Sequence, residues 1–476
     1  MAEDYIKDSK FSINKHMWPI YPLGGFQILA FSGIYIIIVP LSKIFWPADP
    51  YHAFEMGILI TSMFWMMSIA GLIFGRFIDK YNRKKILLLV ACARGSSMLL
   101  LSITLEGQGI ISWIYFYIFA LSFSFFAGGN YPTVLSLAHD IVPMNIRSRF
   151  FGIYGVVRNI FQLSGFLFSG YLVQAGLWRI YFSSIGLALI ISGIVMFMQL
   201  EEPKRGAQTD ELKEALKEEL IEYKYQIDKK TMRSTMLSKT NLVALLEGVF
   251  TQLFMGSLTI LFLPYIQNPP HNVSPLNTSL FITIFGISAG VLGRIFLARA
   301  SDQWASKNHK IRLYLIIIAL FGGAFFFVIL FYIPIPILSE EEGANLLYVF
   351  SFPVFWTMGL CFLISQSISA LYEINQGPVI QEINLPEAQG QIISWNKFLE
   401  NISFGTGPLV SGIFISFIGE NYQIVSIFIA FFTIPGILLW MFALNWYKDD
   451  KERVKDLLSD RAKDLSSINN RSFGSK

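Results

Sequence analysis

Twelve runs of about 20 or more mostly apolar residues follow one another along this chain, each long enough to cross the roughly 30 Å hydrocarbon core of a bilayer. They fall near 24–45, 56–78, 86–105, 110–138, 150–175 and 178–200 in the first half. The second half has 242–266, 279–301, 311–335, 346–370, 392–418 and 422–446. Backbone groups inside lipid must bond within their own segment, so the runs predict helices; the short alternating segments of a barrel are not seen. The expected fold is all-α: a polytopic membrane protein. Of the 476 residues, 54% are hydrophobic and 15% charged, against the roughly 25% charged of a soluble protein. That excludes a disordered chain and argues against a water-soluble enzyme. A net charge of +4, with scattered basic residues, argues against a nucleic-acid binder. Cys92 and Cys361 lie far apart in apolar runs and form neither a disulfide framework nor a zinc site, and no cofactor is expected.

Lysine and arginine in the short loops set the orientation. With the N-terminus inside, the inner loops hold Lys80, Arg83, Lys84, Lys85, Arg147, Arg149, Lys307, Lys310 and Arg312, and the outer loops hold none. The first residues carry Lys7, Lys10 and Lys15 without the apolar core of a signal peptide. The expected organisation is a cytoplasmic tail over 1–21, a six-helix bundle over 22–200 and a linker over 201–240. A second bundle over 241–446 and a cytoplasmic tail over 447–476 follow. Both termini are then cytoplasmic, with the plasma membrane as the expected site. In the linker, Leu212, Leu216 and Leu220 share one helical face. In the outer loop, Asn272-Val-Ser and Asn277-Thr-Ser fit the glycosylation pattern.

The halves read as repeats. At a constant offset of 242, Asn159 meets Asn401, Gly165 meets Gly407 and Ser169-Gly170 meets Ser411-Gly412. Gly75-Arg76-Phe-Ile-Asp79 closes the second span as Ala298-Arg299-Ala-Ser-Asp302 closes the eighth. Two six-helix units repeated in parallel are a transporter architecture.

Charges inside the spans are expensive and mark candidate function. The candidates among them are Arg94, Arg158, Glu247, Lys397 and Glu400. Arg158 and Glu400 each lie nine residues beyond an inner span end, about 13 Å deep and near the midplane. Glu400 is the candidate proton carrier. Arg158 cannot release a proton and suits an anion or a carboxylate. Lys397 and Glu400, three apart on one face, equally fit a self-neutralising pair. Arg158 equally fits hydrogen bonding within its own half. Arg94 and Glu247 read as shallower, about a third of the way in.

The run Gly75-Arg-Phe-Ile-Asp79-Lys80-Tyr-Asn-Arg83-Lys84-Lys85 resembles the loop signature of the major facilitator superfamily, with Asn82 where that family usually has glycine. Asp140-Ile-Val-Pro143-Met-Asn-Ile-Arg147-Ser-Arg149, Trp178-Arg-Ile-Tyr-Phe182 and Glu202-Pro203 resemble it too. The resemblance implies that family's fold of two pseudo-repeated six-helix bundles, and alternating access around a central site. Spans one, four, seven and ten would line that site, which makes Gln27, Tyr35, Asn130, Gln252, Trp356 and Gln366 further candidates, while span three and its Arg94 would be peripheral. Gly75 would let another helix approach, and Asp79 would then meet a helix N-terminus, a contact worth roughly 0.3–2 kcal/mol. Asp302 would do the same in the second half, and Arg83, Arg147 and Asp140 would form a network around the first gate. The implied partners are the bilayer, a small solute and protons, in a monomer. The expected function is secondary transport of a small organic or amphipathic solute, plausibly proton-coupled. No Walker A pattern G-x-x-x-x-G-K-S/T is present, so ATP hydrolysis is not expected. Glu202-Pro-Lys-Arg-Gly206-Ala also resembles the segment after span six in spinster-like lipid transporters, although span one lacks the buried acid expected of them. A drug or metabolite exporter is a further reading, and a membrane enzyme or a channel a remote one, since no H-E-x-x-H or G-x-S-x-G occurs.

Overall fold

The computed structural model describes residues 16–142, 146–202, 237–308 and 310–473. The expected linker helix with Leu212, Leu216 and Leu220, most of the N-terminal tail and the Asp79 side chain lie outside the described residues. Every described element is helical. Among the described residues, eleven helices are long and apolar enough to cross a membrane: Ala53–Ile78, Arg83–Ser102, Ile110–Ile141, Arg149–Gln174, Trp178–Gln199, Lys239–Gln267, Pro275–Lys307, Ile311–Tyr332, Pro353–Glu382, Ile392–Ile418 and Tyr422–Ala443. Ahead of them Ile20–Ile36 and Ile38–Phe45, bent by 62°, make a twelfth. They are numbered one to twelve in chain order. The chain is an integral, multi-pass membrane protein.

The expected first span was one continuous helix, and proline explains the bend. Pro40 is the third residue of Ile38–Phe45, has no N–H to give the preceding turn and clashes with it. The device recurs. Span four breaks between Ile110–Ala127 and Asn130–Ile141, with Pro132 third in the new helix, and span twelve between Tyr422–Phe431 and Thr433–Ala443, with Pro435 third. Span eight carries a π-helical turn, Ile282–Ile287.

The described residues form two compact units. One gathers the described part of Met1–Glu218 with Phe262–Leu280 and Pro336–Val349, and the other the described part of Glu219–Leu261 with Phe281–Ile335 and Phe350–Lys476. In the first, span one packs along span five, three along six and two along four. In the second, span ten packs along eight and nine, and nine along twelve. Lipid is as apolar as leucine, so close packing rather than the hydrophobic effect holds such helices together. Small residues at the crossings allow it. A β-carbon on Gly165 would come 2.7 Å from the Leu29 carbonyl of span one, and one on Gly407 2.7 Å from the Leu253 carbonyl of span seven. Beside each crossing a serine adds a hydrogen bond: Ser32 Oγ donates to the Gln162 carbonyl (3.3 Å) and Ser257 Oγ to that of Gly407 (3.1 Å). The large apolar side chains left outside, such as Ile111, Ile114 and Ile118 on span four, suit lipid contact.

Candidate functional site

The second unit carries a continuous polar chain through its spans. Glu247 of span seven is fully buried and accepts from Thr251 Oγ1, one turn on, and from the Tyr372 hydroxyl of span ten at 3.2 Å. Gln376 Nε2, one turn beyond Tyr372, donates to that hydroxyl and to Glu400 Oε1 of span eleven, both at 2.7 Å. Glu400, 3% exposed, also accepts from Asn396 Nδ2 at 2.7 Å and from Lys397 Nζ at 2.6 Å. Side chains three and four residues apart on a helix share a face, which is why Asn396, Lys397 and Glu400 converge. The Lys397–Glu400 pair thus forms, inside a larger network. Gln252, Tyr372, Glu373, Gln376, Asn396 and Lys397 line a cavity of about 430 Å³. Two buried carboxylates are thus joined through a hydroxyl and an amide, and a cavity lined with amides and opposite charges can hold a polar solute.

Glu373 and Arg294 of span eight form an ion pair that the sequence reading missed, with Nη2 at 2.6 Å and Nε at 3.0 Å from one carboxylate oxygen. The expected span ten ended at 370, which put Glu373 beyond the membrane; the helix runs on to Glu382 and leaves Glu373 nine residues inside. Each partner is more than half exposed and Glu373 lines the cavity, so the pair is not sealed in a core. Gln376 and Asn396 were missed as well; their place one turn from Tyr372 and from Glu400 was the available signal.

In the first unit Arg158 is half-buried, with its guanidinium 5.6 Å from the centre of the Tyr154 ring. Arg94 corrects the sequence reading. It lies eleven residues from the start of span three and eight from its end, hence at mid-span, and is 3% exposed. Its guanidinium sits over Phe123 at 4.2 Å and Nη2 donates to the Gln27 carbonyl at 3.3 Å. Gln27 and Asn130 are buried, and Tyr35 packs edge-on to Phe64. Two candidates in span ten fare differently. Gln366 is half-buried at mid-span, whereas Trp356 stands three residues from the helix start, 53% exposed, with its indole N–H given to the Phe350 carbonyl. Trp356 therefore belongs to the end of the span and not to its middle.

At the basic span ends each unit ties its helices through one arginine. Arg83, 2% exposed, donates Nη1 to Asp140 (2.5 Å) and Nε to Glu202 (3.1 Å). Glu202 also accepts from the backbone N–H groups of Arg83 and Lys84, and Asn82 from that of Lys85, so the asparagine in the loop signature is the helix N-cap. Arg147, expected in the Arg83–Asp140 network, instead reaches the His139 carbonyl at 2.9 Å. In the second unit Arg312 binds Asp302 at 3.0 Å and Glu382 at 3.7 Å. Glu382 also accepts from Lys451 and from the Tyr447 hydroxyl, both at 2.6 Å, which brings the C-terminal helix Tyr447–Phe473 into the tie. Burial and the adjoining Glu382 carboxylate push the Tyr447 phenol upward, so it remains a donor. Gly75 departs from expectation: a β-carbon there meets nothing within 4 Å, so no helix is packed against it. The two glycosylation patterns are also disfavoured, because Asn272 and Asn277 give their amide N–H groups to the Leu338 and Gly343 carbonyls and Asn277 is 1% exposed.

Comparison with solved structures places the fold. A bacterial homologue of the human lysosomal transporter Spinster, in an inward-facing and occupied conformation, superposes with a TM-score of 0.70 at 16% identity, covering 92% of this chain and 99% of that one. The nucleoside transporter NupG gives 0.64 at 12% identity over 90% and 98%, and a D-xylose–proton symporter 0.58 at 13% over 87% and 96%. At these identities the likeness speaks for the fold. Comparison with curated protein sequences gives no match. The sequence profile described as Major Facilitator Superfamily matches residues 23–373, most of the chain, and with twelve spans and the loop signature in place the chain belongs to that family of secondary transporters.

Proposed function

We propose that this protein is a proton-coupled secondary transporter of a small organic solute, working by alternating access between a bundle over 22–200 and one over 241–446. The observation that carries the reading is Glu400: a carboxylate 3% exposed within a span, hydrogen-bonded to a lysine and two amides, and linked through Gln376 and Tyr372 to a second buried carboxylate, Glu247. A carboxylate at that depth beside a cavity is the kind of group that couples protons to a solute. Lys397 leans on Glu400 from the cavity wall, so an occupant of the cavity meets the same pair. In this reading Gln252 and Gln366 contact solute, Gly75, Asp79, Arg83, Asp140, Arg147 and Asp302 govern opening at the basic ends, and both termini are cytoplasmic. The protein acts as a monomer in the plasma membrane.

The test is transport in proteoliposomes. The wild type accumulates solute when a proton gradient is imposed. Glu400→Gln abolishes the accumulation and keeps solute exchange at equal concentrations. Uphill accumulation by Glu400→Gln would remove Glu400 from coupling.

A further inference from the structure

Five polar side chains of the first unit are set at similar depth, and three of them carry hydrogen-bonding atoms that no protein group satisfies. Both amide atoms of Gln27 and the Nε atoms of Arg94 and Arg158 are buried without a partner, while the Tyr154 hydroxyl lies beside the Asn130 side chain. Gln27, Arg94, Asn130 and Tyr154 are 3%, 3%, 8% and 2% exposed. Counted along their helices, all five lie seven to eleven residues from the basic span ends, about 10–17 Å deep. The Tyr154 ring borders Arg158, and its hydroxyl lies within electrostatic reach of both guanidiniums. Among the described residues no carboxylate is within 4 Å of either arginine.

This arrangement is expensive as it stands. An unsatisfied buried donor costs about 1–3 kcal/mol, and more when charged. Arg94 and Arg158, each within reach of the other's charge, add like-charge repulsion in a medium that screens poorly. Water can meet the hydrogen bonds but leaves the two positive charges uncompensated. An oxyanion satisfies the unpaired donors and the two charges together, because a guanidinium fork matches a carboxylate or phosphate in geometry as well as in charge, and the Tyr154 hydroxyl and the Gln27 amide N–H groups supply further donors. The aromatic faces of Phe123 and Tyr154 beside the arginines favour an anion carried on an apolar or aromatic body.

We infer that the first unit holds an anion cradle, formed by Arg94, Arg158, Tyr154 and Gln27, and that the transported solute is an organic oxyanion. The inference rests on the transport reading but deepens it, since it names the solute's charged group and gives mid-span Arg94 a binding role. Arg158 contacts the anion, and Gln27, through its carbonyl bond to Arg94, positions the second guanidinium.

The experiment reads binding and needs no gradient. Purified full-length protein in lipid nanodiscs is unfolded thermally against benzoate, phenyl phosphate, benzylamine and benzyl alcohol. The two anions raise the unfolding temperature saturably, and the amine and the alcohol do not. Arg158→Gln weakens anion binding about tenfold or more, and Arg158→Lys recovers part of it. Arg94→Gln does the same; should that variant fail to fold, the half-exposed Arg158 series decides alone. Equal shifts or none from the four probes, or an unchanged anion affinity in Arg158→Gln, would overturn the cradle. Loss of anion preference with gradient-driven uptake intact removes the cradle and leaves the transport reading standing.

Discussion

At the basic ends of their spans the two halves use one device twice, and at mid-span they differ. Arg83 opens span three and gathers Asp140 and Glu202; Arg312 opens span nine and gathers Asp302 and Glu382. Deeper in, the first half has two arginines, aromatic faces and unsatisfied polar atoms, and the second has carboxylates in a closed hydrogen-bonded chain. The repeat offsets place Gly71 and Tyr131 of the first half opposite Arg294 and Glu373 of the second. The two halves thus share the joints and differ in their interiors. The joints are set by helix geometry, which both halves share, whereas the interior charges serve chemistry that need be done only once.

The largest stability effect is expected where the shared device is most buried. Arg83→Ala removes the guanidinium that Asp140 and Glu202 share and costs about 3 kcal/mol, whereas Arg312, with 13% of its side chain exposed, costs about half as much on the same change. Thermal unfolding of the two variants checks this, and equal losses would break the comparison. Next come the paired glycines. Gly165→Ala and Gly407→Ala each push a methyl into a facing backbone and lose about 1–3 kcal/mol, while Gly75→Ala, with open space around it, stays within about 0.5 kcal/mol. If Gly75→Ala nevertheless slows transport, its role belongs to another conformation, as the gate reading requires. The smallest effect belongs to the pair found in the second half. Arg294→Gln breaks a half-exposed ion pair and costs under about 1 kcal/mol of stability. A loss several times larger would mean the pair is sealed from water and structural.

Much of the fold was legible in the sequence, because length and apolarity alone decide whether a helix spans a bilayer. The loop signature and the 242-residue repeat gave the family and the two halves. The site was legible only in pieces. Glu400, Lys397 and Glu247 stood out as charges in apolar runs, but Gln376 and Tyr372, which join them, look like ordinary polar residues until spans seven, ten and eleven are brought together. Arg94 reads as shallow from a span that starts at 86; span three starts at Arg83, and the three added residues put Arg94 in its middle. Glu373 was lost to a span end drawn at 370. The breaks in spans one, four and twelve were open to prediction, since in each the new helix starts two residues before a proline, although an apolar count does not register them.

What the sequence determined by itself was the number of spans, their order and the cost of the charges within them, for these follow from local composition and the price of backbone and charge in lipid. Which charge meets which partner was decided by tertiary structure alone. Helical spacing fixes only the face on which a side chain lies, and it is the packing of one face against another that closes the chain from Glu247 to Glu400 and leaves Arg94 and Arg158 without an acid among the described residues.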